Sequence, residues 1–358
     1  MGRYDADFHG RAVPSGNIGY YIPSIIHDGE PFMQANSPYA LIREMLETPD
    51  ILRRFDSTKM AGWAEAMAGK RLLVTGEGSS RIFPAKNLIA RALQTGHSLN
   101  IVTEGARQAA EYDLRGFNVL AGSNSGRTRE LIALCEKLQA DKIDCYAVTA
   151  SGGSPLTALA TDSRILTCGA EKAVAASKSV VEHALVYQSL LGGNEWRHQA
   201  QAAEYCAVVL AQTLAPALLH AVAAAPVIYF SGRNNGVAEE LTLKANEIAR
   251  RKSDYLEGTY ALHGIEEVMR QDEVVILIDP FAAEIEKYQK VLEQGAGIKI
   301  IAISAQDTPF DTIRIPALDG FDAYLQLLAG WNILVSVGLA CGIDIDKPER
   351  VRKVGNSI

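Results

Sequence analysis

"VTGEGSSRIFPAKN", Val74 to Asn87, is the stretch whose reading decides the fold. A β-branched run stops at glycine, two serines follow, and helix-forming residues begin. A strand that hands over to a helix through such a turn leaves backbone N–H groups free beside the positive end of a helix dipole, and this suits an anion. The turn is not a dinucleotide fingerprint, because GxGxxG is incomplete and no acidic residue stands at the right distance.

Outward from that turn, strand and helix patterns alternate. "RLLVT" reads as a strand and "RIFPAKNLIARALQT" as a helix. "LNIVT" is a strand before the helix "GARQAAEYDL". "FNVLAG" is a strand, "SNSG" a loop and "RTRELIALCEKLQ" a helix. "DCYAVT" and "SRILTC" are further strands, and Ala173 to Leu191 reads as a long helix. Upstream, helices are expected from Ser37 to Phe55 and from Thr58 to Ala68. Short apolar runs between helical periods imply a parallel sheet covered on both faces.

"GGNEWRHQ" (Gly192 to Gln199) breaks the pattern, and a helix from Ala200 to Ala221 leads to a second series. There "PVIYFSG", "DEVVILID" and "IKIIAIS" are strands. "VAEELTLKANEIARRK" and "AAEIEKYQKVLEQ" are helices, and a hydrophobic helix runs from Asp322 to Cys341. The halves form a faint repeat. "LLVTGEGSSRIFPAKNLIARAL" matches "VIYFSGRNNGVAEELTLKANEI", and "DCYAVTASGGSPLTALATDSRILT" matches "IKIIAISAQDTPFDTIRIPAL". The third strand of the first half is followed by "SNSGRT", whereas its counterpart is followed by "DPFAAE", with no hydroxyl cluster.

The hydroxyl loop carries the chemistry. In "GSNSGRTRE" (Gly122 to Glu130), Ser123, Ser125 and Thr128 crowd a strand end and helix start. One hydroxyl there is explained as a helix cap; three point to phosphate or sulfonate oxygens. No GKS or GKT follows, so the loop is not a P-loop. With Ser79 and Ser80 of "GEGSS", it suggests one anion held between two neighbouring strand ends. The second centre is "LKANEIARRKSDYLEGTYALHG". Lys244 and Glu247, three apart, share a helix face. On spacing alone they suit an ordinary surface ion pair, and His263 alone suits a core histidine.

Composition narrows the classes. The 358 residues suffice for two domains, 48% are hydrophobic, and the formal charge is −7 with no long basic run, which argues against nucleic acid. Cys135, Cys145, Cys168, Cys206 and Cys341 are scattered without zinc spacing, as expected of core thiols in a reducing cytoplasm. The N-terminal residues are not a secretory signal. The longest apolar stretch, Leu214 to Phe230, is broken by His220 and prolines and falls short of a membrane span.

Four motifs together resemble the double sugar-isomerase (SIS) domain proteins: "GEGSS", "SNSGRT", Lys244-x-x-Glu247 with a histidine sixteen residues on at His263, and the tail "DKPERVRKV". From Ser37 to the C-terminus the chain is similar to the isomerase half of glutamine-dependent glucosamine-6-phosphate synthase and to relatives lacking a glutaminase domain. The resemblance implies an α/β fold of two tandem SIS domains, each a flavodoxin-like three-layer sandwich. An arm (1–37), a first domain (38–195), a second (196–344) and a closing tail (345–358) are the expected divisions.

The resemblance also implies roles. Ser123, Asn124, Ser125 and Thr128, with Ser79 and Ser80 beside them, would hold a 6-phosphate. "AEKAVAASK" (Ala170 to Lys178) is similar to the family's sugar-binding helix start and brings in Val174 and Ala176; Arg233 completes the expected substrate set. Glu247 would move a proton between C1 and C2, with Lys244 one turn before it stabilising the enediolate or tuning the glutamate. His263 would open the ring from a neighbouring subunit, implying a homodimer. Lys353 could form an imine with an open-chain ketose. No metal and no cofactor are implied.

Departures qualify the match. No glutaminase module with an N-terminal cysteine precedes the body, so glutamine-driven amination is not expected. Arg127 stands where the amidotransferase has glutamate, and "TYAL" replaces a glycine and an acidic residue before His263. The expectation is an aldose–ketose isomerase acting on a 6-phosphorylated hexose, or on a 6-sulfonated one such as sulfoquinovose. An amino-sugar-6-phosphate deaminase and a fructosamine-6-phosphate deglycase are the alternatives, and a non-catalytic sugar-phosphate sensor ranks below all three.

Overall fold

The alternation becomes two parallel sheets in the computed structural model, which describes residues 32–350. The first sheet contains β1 (Arg71–Gly76), β2 (Asn100–Gly105), β3 (Phe117–Gly122), β4 (Cys145–Thr149) and β5 (Asp162–Ile165), in the order β2-β1-β3-β4-β5. The second contains β6 (Val227–Gly232), β7 (Lys252–Glu257), β8 (Val274–Ile278), β9 (Lys299–Ser304) and β10 (Asp311–Arg314), in the order β10-β9-β8-β6-β7. Renumbered within its half, the second order is the first read backwards. Both are the doubly wound 2-1-3-4-5 arrangement, whose ligand crevice lies at the carboxyl ends of the first and third strands. The faint sequence repeat is therefore a repeat of topology.

The inner strands are apolar runs because both faces are covered. All of β4 and all of β8 are buried. The largest apolar core lies between the two sheets and joins residues of both halves, while a smaller core backs the outer face of each sheet. The helix Asp322–Ala340 runs through the shared core. It is long and apolar enough to cross a membrane, yet 89% of its apolar window is buried by the rest of the fold. Gly330 lets the helix approach Val237–Lys244 closely, since a Cβ there would stand 2.3 Å from Leu241 Cδ1. Fully burying such a leucine is worth about 1.5–3 kcal/mol.

Several expected elements differ. The segment Ser37–Phe55 is two helices, Ala40–Leu46 and Thr48–Arg54, with Pro49 opening the second. The helix expected over Ala200–Ala221 is Gln199–Leu210 and Pro216–Ala224, because Pro216 starts a new helix. "GARQAAEYDL" forms only one turn, Ala106–Ala109. The helix expected to run on to Lys252 ends at Arg250, whose φ of +49° is left-handed, and the next residues form β7. The helix expected from Ala173 begins at Lys178.

Candidate active site

β1 and β3 are hydrogen-bonded neighbours with Gly76 opposite Gly122, so the turns that leave them start side by side. No larger residue fits this pair. A Cβ on Gly76 would meet Gly122 O at 2.6 Å, and one on Gly122 would meet Tyr187 Oη at 2.2 Å. From β1 the chain enters the 3-10 turn Gly78–Ser80, and from β3 it enters Ser123–Thr128 ahead of the helix Arg129–Ala140. Ser79, Ser80, Ser123, Asn124, Ser125 and Thr128 thus gather at the crevice of the first sheet.

The hydroxyl loop is internally braced. Ser123, 2% exposed, pairs its Oγ with Thr128 Oγ1 at 2.9 Å and accepts the Gly126 N–H at 3.1 Å. Ser125 Oγ accepts the Arg127 N–H. Asn124 donates to Glu171 Oε2 at 2.9 Å. The buried Glu171 also accepts the N–H groups of Ser177 and Ser179 at 2.8 and 3.0 Å and the Ser179 hydroxyl at 2.8 Å. Its carboxylate holds one end of the loop 172–177, and Glu44 holds the other by accepting the N–H groups of Lys172 and Ala173, so the helix begins only at Lys178. Glu171 was missed by sequence reading, although two serines spaced two apart at a helix start were a signal for a nearby acceptor.

The second half supplies the carboxylates. The helix Val237–Lys244 follows β6 and continues into a π turn, Ala245–Ala249, which carries Glu247. Such π turns recur at functional sites. Lys244 is fully buried. Its Nζ donates to Glu247 Oε2 at 2.8 Å and to Ser79 Oγ at 2.8 Å, and it stands 3.4 Å from Glu240 Oε1 without hydrogen-bond geometry. A buried ammonium persists only when paired in this way. Burial works against its charge, yet Glu247 and Glu240 outweigh burial and hold its pKa above the usual lysine value. Burial pushes the Glu240 carboxyl up, against the pull of Lys244. Glu240 is a second residue the sequence reading missed; its signal was the i−4 position relative to Lys244.

Glu247 is one-quarter exposed, on a cleft of about 690 Å³. Val174 and Ala175 form one wall, and Leu243, Asn246 and Arg250 extend the helix side. Ile345, Pro348, Glu349 and Arg350 of the tail line the remaining wall. Arg250 holds the tail there, donating to Glu349 Oε1 at 2.6 Å and to Lys347 O at 2.8 Å. Asp346 pins the tail to the first helix by accepting the N–H groups of Ala40 and Leu41.

Three expected positions change. Lys244 does not line the cleft; it is enclosed, with its Nζ bonded to Glu247. Arg233 is not at this cleft. It follows β6 and pairs with Asp279 at the crevice of the second sheet, because the strand that ends in "SGR" belongs to that sheet. His263 is exposed at the end of a short turn beyond β7, with Thr259 Oγ1 at 3.3 Å from its Nε2, and it does not line the Glu247 cleft. Ala176 lies in the Glu171-bound loop beside Val174. Lys353 and residues 1–31 of the arm lie outside the described residues. Among the described residues no three His, Cys, Asp or Glu side chains group as metal ligands do.

No protein-family model matches the chain. It is 22% identical over 352 residues to the glutamine–fructose-6-phosphate aminotransferase (isomerizing) of Streptococcus pyogenes, spanning 88% of this chain and 58% of that protein. The C-terminal domain of glucosamine-fructose-6-phosphate aminotransferase from Francisella tularensis superposes with a TM-score of 0.69 at 17% identity, covering 88% of this chain and 99% of the other. Tagatose-6-phosphate ketose/aldose isomerase from Escherichia coli gives 0.73 at 16% identity over 89% and 99%. Glucosamine-6-phosphate deaminase from Thermotoga maritima gives 0.68 at 18% identity over 88% and 97%. The resemblance read from the four motifs is borne out, and the fold is that of the double-SIS phosphosugar isomerases.

Proposed function

We propose that this chain is an aldose–ketose isomerase acting on a hexose that carries an anion, phosphate or sulfonate, at C6. One observation carries the reading: Lys244 is bonded at once to Ser79 of the anion turn and to Glu247 on the cleft. The group that would bind the remote anion and the group that would move the proton are thereby fixed relative to each other. Such fixed geometry is what converts remote binding energy into rate.

The chemistry needs one carboxylate. Glu247 removes the proton from C2 of the open-chain aldose, and the electron pair moves to form the enediolate. The same carboxyl returns the proton to C1, and a proton shift from O2 to O1 leaves the ketose. Lys244 keeps the Glu247 carboxylate oriented. The hydroxyl loop and the neighbouring backbone N–H groups hold the C6 anion. His263 from a second copy of the chain opens the ring.

The test is a panel of 6-phospho and 6-sulfo hexoses, each with and without a 2-amino group, followed by product NMR and an ammonia assay. Conversion of an oxygen sugar to its ketose without ammonia is expected. Ammonia released from a 2-amino sugar, with no turnover of oxygen sugars, would replace this reading with a deaminase. Binding without turnover across the panel would replace it with a sensor.

A further inference from the structure

The two halves exchange helices. Glu240, Lys244 and Glu247 stand at i, i+4 and i+7 on the helix after β6, and Lys244 reaches the crevice of the first sheet. Asn87, Arg91 and Gln94 stand at the same spacing on Ile82–Gln94, the helix after β1, and all three line a cleft at the crevice of the second sheet. On that helix Arg91 Nη1 lies 3.4 Å from Gln94 Oε1. The facing wall comes from the ends of β6, β8 and β9: Arg233, Asp279 and Gln306.

This cleft has the marks of a binding site and lacks those of a catalytic one. Its volume is about 260 Å³, just under the ~300–1,000 Å³ of sites for drug-sized ligands, so it suits a monosaccharide. Asp279 holds a left-handed φ of +47° at its mouth, a strain that clusters at ligand clamps. Gln326 lines the cleft, is 5% exposed, and its Oε1 has no hydrogen-bond partner among the described residues. A buried amide oxygen of this kind costs free energy until a donor reaches it. The two carboxylates of the cleft are already engaged, Asp279 with Arg233 and Asp322 with the Leu318 N–H at 2.7 Å.

We propose that the second crevice is a non-catalytic site for a neutral, hydroxyl-rich molecule of monosaccharide size. The charge pattern sets the class. Both guanidinium groups are already neutralised, Arg233 by Asp279 and Arg91 by Asp319 at 3.0 Å with Glu195 at 3.9 Å. Asp279 and Asp322 add carboxyl oxygens to the lining, and no serine or threonine of this crevice lines it as the hydroxyl loop does in the first. Carboxylates and amide oxygens accept from sugar hydroxyls, and the carboxylates repel a phosphate. The inference does not rest on the reaction proposed for the first crevice.

Saturation-transfer NMR on the full chain with glucose, galactose, mannose and fructose tests it. The proteins are the wild type, two cleft-blocking variants, Ala90→Phe and Gln306→Trp, and the first-crevice variant Ser123→Ala with Thr128→Ala. The expected result is binding of at least one neutral sugar, weakened tenfold or more by the blocking variants and unchanged by the hydroxyl-loop variant. Gln306 is exposed at the mouth, so Gln306→Trp keeps the test sound if Ala90→Phe fails to fold. The proposal is overturned if no neutral sugar binds. It is also overturned if binding follows the hydroxyl-loop variant, or if a blocking variant weakens a 6-phosphate more than its neutral parent. Failure of the isomerase reading would show separately, as absent turnover of anionic sugars.

Discussion

Lys244 Nζ lies 2.8 Å from Ser79 Oγ, and that bond crosses from one half of the chain to the other. Neither residue has the same meaning within its own half. Ser79 belongs to the turn that favours an anion, and Lys244 belongs to the helix that presents Glu247. Their contact makes one site from two sheets.

Lys244→Met should therefore damage both stability and turnover. Removing one partner of a buried ion group costs about 3–5 kcal/mol, because the remaining carboxylates lose their cation. Urea denaturation should report that loss, and kcat should fall because Glu247 is no longer held. Lys244→Arg should not restore kcat, since a planar fork cannot replace a point charge in a fully enclosed position. A Lys244→Met chain of wild-type stability would show that the triad does not bear on the fold.

Glu247→Gln keeps shape and removes the base. Turnover of the substrate found in the sugar panel should fall by roughly 10²–10⁴-fold, with binding retained. Solvent-deuterium exchange at C2 should fall in parallel. Undiminished exchange would assign the proton transfer to another group.

Much of this was legible because buried parallel strands are continuous apolar runs. β1, β3, β4, β6, β8 and β9 were all visible as such. β7 was not, since it is an edge strand with alternating exposure and begins two residues after the helical pattern ends. Its Lys252 was read into the preceding helix. The start of the helix at Lys178 was hidden because two side chains, Glu171 and the distant Glu44, and not local propensity, shape the loop before it. Arg233 was misplaced for a geometric reason. Sequence shows that a residue follows a strand, but not which crevice that strand's sheet will build. The exchange of helices between halves is a tertiary fact, and neither the periodicity nor the motifs show it.

The hydroxyl loop divides into braces and contacts. Ser123 is enclosed and holds Thr128, so Ser123→Ala loosens the loop while Thr128→Ala also removes a donor. The double variant should raise KM strongly, each lost charge-assisted hydrogen bond being worth about 1.5–3 kcal/mol. Steady-state kinetics should show the change mainly in KM. An unchanged KM would place the anion elsewhere.

His263 is exposed and does not line the Glu247 cleft of its own chain, which leaves it free to serve a neighbouring copy under the proposed function. Mixing inactive Glu247→Gln subunits with inactive His263→Ala subunits should restore part of the activity, because one composite site then carries both intact groups. Native mass spectrometry would verify subunit exchange. Verified exchange without recovered activity would argue against a shared site.

His183 predicts a pH dependence of stability. It is fully buried behind the anion loop, with Nδ1 2.7 Å from Ser179 O and Nε2 3.3 Å from Val148 O. Burial holds its pKa below the usual 6.5, against the pull of the two carbonyls. The folded chain thus keeps the ring neutral at a pH where the unfolded chain protonates it. The stabilisation is complete above pH 6.5 and is lost as pH falls below it towards the folded value, with a slope of up to about 1.4 kcal/mol per pH unit for one proton. Glu240 and Asp322, whose carboxyls burial raises, act with the opposite sign. The informative quantity is consequently the difference between wild type and His183→Gln in urea midpoints from pH 7.5 to 5. Wild type should lose stability more steeply than the variant across that range. Parallel curves would mean that the histidine takes up its proton in the fold as readily as outside it.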